Sequence, residues 1–145
     1  MYAAVLMIHS VVRWLVLVAL VARVARGLQG TFSQAAWSGA DRALSGAALG
    51  LTHLQVVLGI GLFFLSPNVA AGLADMGAAM GNSALRFVVV EHPTTMILGA
   101  LAVQAGFSIS KRATTDATRH RAGLIGYGIG LLLILAGIPS IRGVG

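Results

Sequence analysis

Four histidines, His9, His53, His92 and His120, fall one each in four separate apolar stretches of the chain. Imidazole can ligate a metal, carry a proton or hydrogen-bond near neutral pH, and hydrocarbon holds no water to solvate it. A histidine in such surroundings therefore needs a ligand, a proton or a polar partner. Two charges share the setting. Arg13 stands one turn from His9 on the same helical face, and Glu91 directly precedes His92 but points about 100° away from it.

Composition dictates the elements that hold these residues. Of the 145 residues, 57% are hydrophobic and 10% are charged, with a mean hydropathy of +0.89. That is far more apolar than a soluble domain of this length. Four segments reach the roughly 20 apolar residues that a bilayer crossing requires: Ala3–Arg23, Ala43–Leu65, Leu85–Ser110 and Arg119–Ile141. The runs are continuously apolar, which favours helices over the alternating strands of a barrel. The first segment has no basic region before it and carries Arg23 and Arg26 after it, so it reads as a helix and not as a cleaved signal.

Arg23, Arg26 and Arg42 bracket the first connection, and Lys111, Arg112, Arg119 and Arg121 bracket the third, so seven of the ten basic residues lie on one side. The positive-inside rule makes those connections cytoplasmic. The predicted fold is all-α: one four-helix transmembrane domain over residues 1–145, an up-down-up-down bundle with both termini outward. The net charge of +6 is then a signal of topology. Its residues flank spans and form no stripe interleaved with aromatics, so a nucleic-acid partner is not expected. Cysteine is absent, which removes disulfides and thiolate-held clusters.

The outer connection, Ser66–Ala84, places Val69, Leu73, Met76 and Met80 at helical spacing, the pattern of a short interfacial helix over the bundle mouth or of a loosely structured loop. Met76 and Met80 have no neighbouring Cys or His motif and make a weak copper site.

With a rise of about 1.5 Å per residue, His9 lies about 6 Å outward of its segment's centre and His92 about 7 Å outward of its own. Segments one and three run in the same direction and occupy a diagonal of the bundle, so the two imidazoles are level and can meet in the core. Bis-histidine haem ligation requires that arrangement. His92 shares a helical face with Val88, Thr95, Met96, Gly99 and Gly106, which leaves room for a flat ligand or lets helices approach closely. Gly46, Gly50, Val57 and Ile60 share a face with His53. His53 and His120 form a second candidate pair, but His53 is close to its segment's centre and His120 nearly 15 Å inward, so His120 also fits an interfacial position.

Arg13 can neutralise a haem propionate, pair with Glu91 or line a quinone pocket, and Arg86 is a second propionate candidate. Gln55 and Gln104 suit hydrogen bonds between helices. Trp37 suits an interfacial anchor, whereas Trp14 lies deeper, against a cofactor or lipid.

His9-Ser10 with Arg13-Trp14, Thr52-His53-Leu54-Gln55 followed by Gly59, Glu91-His92 and Arg119-His120-Arg121 together resemble the small four-helix bacterial membrane proteins labelled cytochrome b-like. The resemblance spans nearly the whole chain through short motifs in a consistent order. It implies non-covalent b-type haem, one group with a second as an option, and candidate axial ligands at His9, His53, His92 and His120. It further implies electron transfer near the quinone pool of the bacterial inner membrane, as a subunit or partner of a redox complex more than as an autonomous enzyme. The chain departs from di-haem cytochromes b, in which each of two helices carries two histidines about four turns apart. Two other classes stay open: a haem-handling or haem-modifying protein, and a non-haem structural subunit of a membrane complex.

Overall fold

A computed structural model describes residues 1–139. The described residues are helical, with no strand among them. Helix α1 runs Tyr2–Phe32, α2 Gly39–Leu65, α3 Pro67–Ala74, α4 Met76–Gly81, α5 Ser83–Arg112 and α6 Asp116–Ala136. Within α5, Phe87–Glu91 form a π-helical turn. Among the described residues α1, α2 and α5 are long and apolar enough to cross a membrane.

The long helices extend beyond the apolar runs that announced them. Helix α1 continues past Arg23 to Phe32 because Gly27 and Gly30, weak helix formers, pack against α6: a side chain at Gly27 would press on Leu124, and one at Gly30 would overlap the His120 ring. Helix α2 starts at Gly39, four residues before the expected Ala43. The Ser38 hydroxyl accepts from the Asp41 N–H while the Asp41 carboxylate accepts from the Ser38 N–H, a reciprocal cap that satisfies two orphan donors. Between these helices Gln34 takes a positive φ of 51° and reverses the chain. Thr115 caps α6 at the Thr118 N–H, so the third connection shrinks to residues 113–115. The expected end of the fourth segment, Ile141, lies outside the described residues.

The connection Ser66–Ala84 is folded mostly into two short helices, α3 and α4. Its predicted apolar stripe does not hold, because the chain breaks at Asp75, whose carboxylate caps α4 at the Ala78 N–H. The break shifts the phase: Val69, Gly72 and Ala79 are buried, while Leu73, Met76 and Met80 are exposed.

Helix α1 packs against α2 and α6, and α5 packs against the same two, so α1 and α5 lie on one diagonal of the bundle and α2 and α6 on the other. The core joins Val12, Val16, Leu17 and Leu20 of α1 to Ala48, Val103, Tyr127 and Ile134. Between α5 and α6 the backbones nearly touch. A side chain at Gly126 would overlap the Gly106 backbone, and one at Gly130 would overlap Val103. Gly99 and Gly106 therefore serve close helix packing, and the space that they leave is filled by α6 instead of a flat ligand. Large apolar side chains such as Val18, Val57, Ile60, Leu101 and Leu132 point out of the bundle, the inverse of a soluble protein's surface.

Candidate functional site

Two of the four histidines meet. The rings of His9 on α1 and His92 on α5 face one another across the bundle diagonal with centroids 6.4 Å apart and planes inclined at 68°. Both are partly buried. Their common depth was readable from residue spacing. Their approach depended on the packing of α1 and α5 around a shared centre.

The chain upstream of His92 is shaped by Pro93. Proline has no N–H to donate to the carbonyl four residues back, and its ring crowds that carbonyl. The helix widens in response: the His92 N–H bonds the Phe87 carbonyl, a five-residue step that defines the π turn. The Thr95 hydroxyl donates to the Glu91 carbonyl at 2.6 Å and satisfies it. In a π turn the residue five back occupies the place of the residue four back. Phe87 thus lies beside His92, ring centroids 5.7 Å apart, where an unbroken α-helix would have put Val88. Sequence spacing assigned Val88 to this face, and the inserted residue corrects that assignment.

His92 Nδ1 is 2.7 Å from the Gly137 carbonyl oxygen just beyond α6. A carbonyl only accepts, so Nδ1 carries the proton and Nε2 is left with a free lone pair. This is the tautomer that a metal-ligating imidazole adopts when its other nitrogen is held by a carbonyl. His9 rests near Gly59 of α2, where an added Cβ would make ordinary contact with the His9 ring at 3.5 Å. The Gln55 amide of α2 donates to the His9 backbone carbonyl at 3.0 Å, an interhelical bond of the expected kind. Gln104 does otherwise: it donates to Ser108 within its own helix. His9 Nδ1 is buried without a hydrogen-bond partner.

Arg13 lies within electrostatic reach of both imidazoles. Its Nε is buried without a hydrogen-bond partner, and its guanidinium carbon sits 5.4 Å from the Trp14 ring centre. It does not pair with Glu91. That carboxylate accepts from Arg86 Nε at 2.7 Å, five residues back along the widened turn. Arg86 also donates to the Met80 carbonyl at 2.9 Å, which ties the outer connection to α5. Arg86 is therefore engaged with protein, and among the described residues Arg13 is the cation whose charge reaches both imidazoles. Trp14 is 61% exposed and faces outward, away from the pair.

The second candidate pair is not brought together. His53 is on the exposed side of α2 together with Gly46, Gly50, Val57 and Ile60, so the space beside those glycines lies outside the bundle. His120 is fully buried at the opposite end, with neither ring nitrogen hydrogen-bonded. Trp37, itself partly buried, packs on it at 5.1 Å between ring centroids, so the His120 ring faces protein.

Arg23, whose place after the first apolar run marks it as a flanking topological charge, belongs instead to the interior. It is fully buried beside His120's packing partner: its guanidinium carbon is 5.2 Å from the Trp37 ring centre and 5.3 Å from that of Tyr127. Its Nε donates to Ser45 Oγ at 2.8 Å, and the Tyr127 hydroxyl donates to the Ser45 carbonyl at 2.8 Å. The missed signal was positional. Val16, Leu20, Arg23, Gly27 and Gly30 recur at three- and four-residue steps and form the buried stripe of α1.

Among the described residues no group of three or more His, Cys, Asp or Glu side chains is placed to hold a metal ion, so a metal here would have to bring its own equatorial ligands to a two-histidine site. No family model, curated protein or solved structure matches the chain.

Proposed function

We propose that His9 and His92 would hold a b-type haem in the outer half of a four-helix membrane bundle, and that the protein carries electrons within the membrane. The observation that carries this reading is the facing pair itself. Two imidazoles that bind one metal from opposite sides, each nitrogen roughly 2 Å from it, place their ring centres about 6 Å apart. The 6.4 Å between His9 and His92 fits that spacing. Of the four ligand candidates suggested by the cytochrome b-like resemblance, only these two face each other.

The residues present also suit the group chemically. The Gly137 carbonyl fixes His92 in the tautomer whose Nε2 can ligate. Arg13 supplies positive charge beside both rings, where it can meet a propionate and favour retention of a negatively charged ligand. Haem, when bound, supplies one-electron chemistry at its iron. The exposed His53 and the remote, buried His120 favour one haem, not two.

In this reading α6 is the fourth span. Its 21 residues extend about 31 Å at 1.5 Å each, close to the thickness of a hydrocarbon core. Its first turns carry Arg119 and Arg121 on the same end as Arg23, Arg26, Arg42 and Lys111, consistent with a cytoplasmic basic end and outward termini in a bacterial inner membrane. Lipids surround the bundle, and a quinone or redox protein exchanges electrons with it.

The decisive measurement is a dithionite-reduced minus oxidised absorption spectrum of purified protein, with haem quantified per chain. One haem per chain with bis-histidine bands is expected, and His9→Ala and His92→Ala should each abolish it. Absence of Soret and α bands after expression with adequate haem would refute the reading. A normal bis-histidine spectrum in both variants would refute the ligand assignment.

A further inference from the structure

At the basic end of the bundle a cavity of about 400 Å³ opens between the first connection, the start of α2, the end of α5 and the start of α6. That volume lies within the range of small-molecule sites, roughly 300–1,000 Å³. Arg42, Lys111 and Arg119 line it together with Trp37, Ser45 and Phe107.

The charges are unequal in their commitments. Arg119 is bound to Asp116 at 3.2 Å and to the Ala113 carbonyl at 3.1 Å. Arg42 and Lys111 have no ion-pair partner among the described residues. Behind the wall formed by Ser45 and Trp37 stands Arg23, fully buried, with both terminal nitrogens lacking a hydrogen-bond partner. The two acids near this end are both engaged, Asp41 by Arg26 through bonds of 2.6 and 3.2 Å and Asp116 by Arg119 at 3.2 Å. Protein carboxylates therefore leave a surplus of positive charge around the cavity. A low-dielectric wall strengthens the field of such a surplus inside a cleft.

We propose that this cavity binds the phosphate of an anionic amphiphile. Arg42 and Lys111 contact the phosphate oxygens, the buried Arg23 adds long-range attraction, and Trp37 and Phe107 pack on the apolar part next to the headgroup. Basic pockets between membrane helices recognise phosphate-bearing headgroups by this combination of charge and apolar wall. The proposal rests on the membrane reading of the bundle and is independent of haem.

The test uses the full chain in neutral detergent with Trp14→Phe, which leaves Trp37 as the only tryptophan. Phosphatidylglycerol, phosphatidylcholine and inorganic phosphate are titrated separately while Trp37 emission is followed, and intact-mass measurement counts the lipid retained per chain. Phosphatidylglycerol should bind saturably by at least one readout, about tenfold more tightly than phosphatidylcholine. The double variant Arg42→Gln, Lys111→Gln should lose about that factor, and Arg112→Gln, a single neighbouring charge off the cavity wall, should lose none. Competition by inorganic phosphate at similar concentration would identify the free anion as the occupant. Its failure to compete would identify the lipid. Equal binding of the two lipids, no saturable binding of phosphatidylglycerol or phosphate, or equal losses in the Arg112 and double variants would overturn the proposal. Helical circular dichroism of each variant separates lost binding from lost folding.

Discussion

Replacing Gly126 by alanine places a methyl group against backbone that cannot swing aside. The new Cβ would overlap the Gly106 Cα and lie 2.7 Å from the Gly106 nitrogen and 2.9 Å from the Ala102 carbonyl oxygen, whereas ordinary contact begins at 3.4 Å. Helices α5 and α6 must separate, and a gap of roughly 0.5–1 Å forfeits a quarter to a half of each contact's dispersion energy. Gly128 sits two residues away on the same helix with nothing within 4 Å of an added Cβ. Both substitutions share the gain in helix propensity, about 0.5–1 kcal/mol. Their difference isolates the steric cost, about 1–3 kcal/mol against Gly126→Ala. Unfolding in mixed micelles by sodium dodecyl sulfate, followed by helical circular dichroism, measures both variants on one scale. Equal stability of the two would show that α5 and α6 do not approach as closely as described, and would remove the packing role assigned to Gly106.

Three further outcomes follow from the geometry. If the protein holds haem as proposed, His53→Ala should leave both haem content and the reduced-minus-oxidised spectrum unchanged, because His53 faces out of the bundle; loss of haem would place it in the site. Asp41→Asn should cost about 1.5–3 kcal/mol in the same unfolding assay, the worth of a hydrogen bond to a charged group, since it removes the charge that Arg26 meets at 2.6 Å and leaves one acceptor oxygen where the carboxylate served both Arg26 and the cap of α2. Pro93→Ala restores an N–H to the Val89 carbonyl and lets the π turn relax, so Phe87 should leave the His92 ring and the ring-current shift on the His92 protons should disappear from spectra in micelles. An unchanged shift would show that Pro93 does not set the turn.

Residue order alone carried the helical class, the apolar runs behind α1, α2 and α5, and the equal depth of His9 and His92, because these depend on local periodicity and a constant rise per residue. The Ser38–Asp41 cap and the effect of Pro93 were also written in the sequence, as a capping signature and a missing donor, although spacing arguments passed over both. Tertiary structure decided the rest. Helical spacing says which residues share a face, but not which faces turn inward. That is why His53 and its glycines lie outside while Arg23, in a stripe of core positions, lies inside. It also decided that Glu91 pairs with Arg86 and not Arg13, since one widened turn re-aims every side chain before it. The pairing of His9 with His92 needed both levels: the sequence set their depth, and the packing of α1 and α5 across one diagonal set their approach.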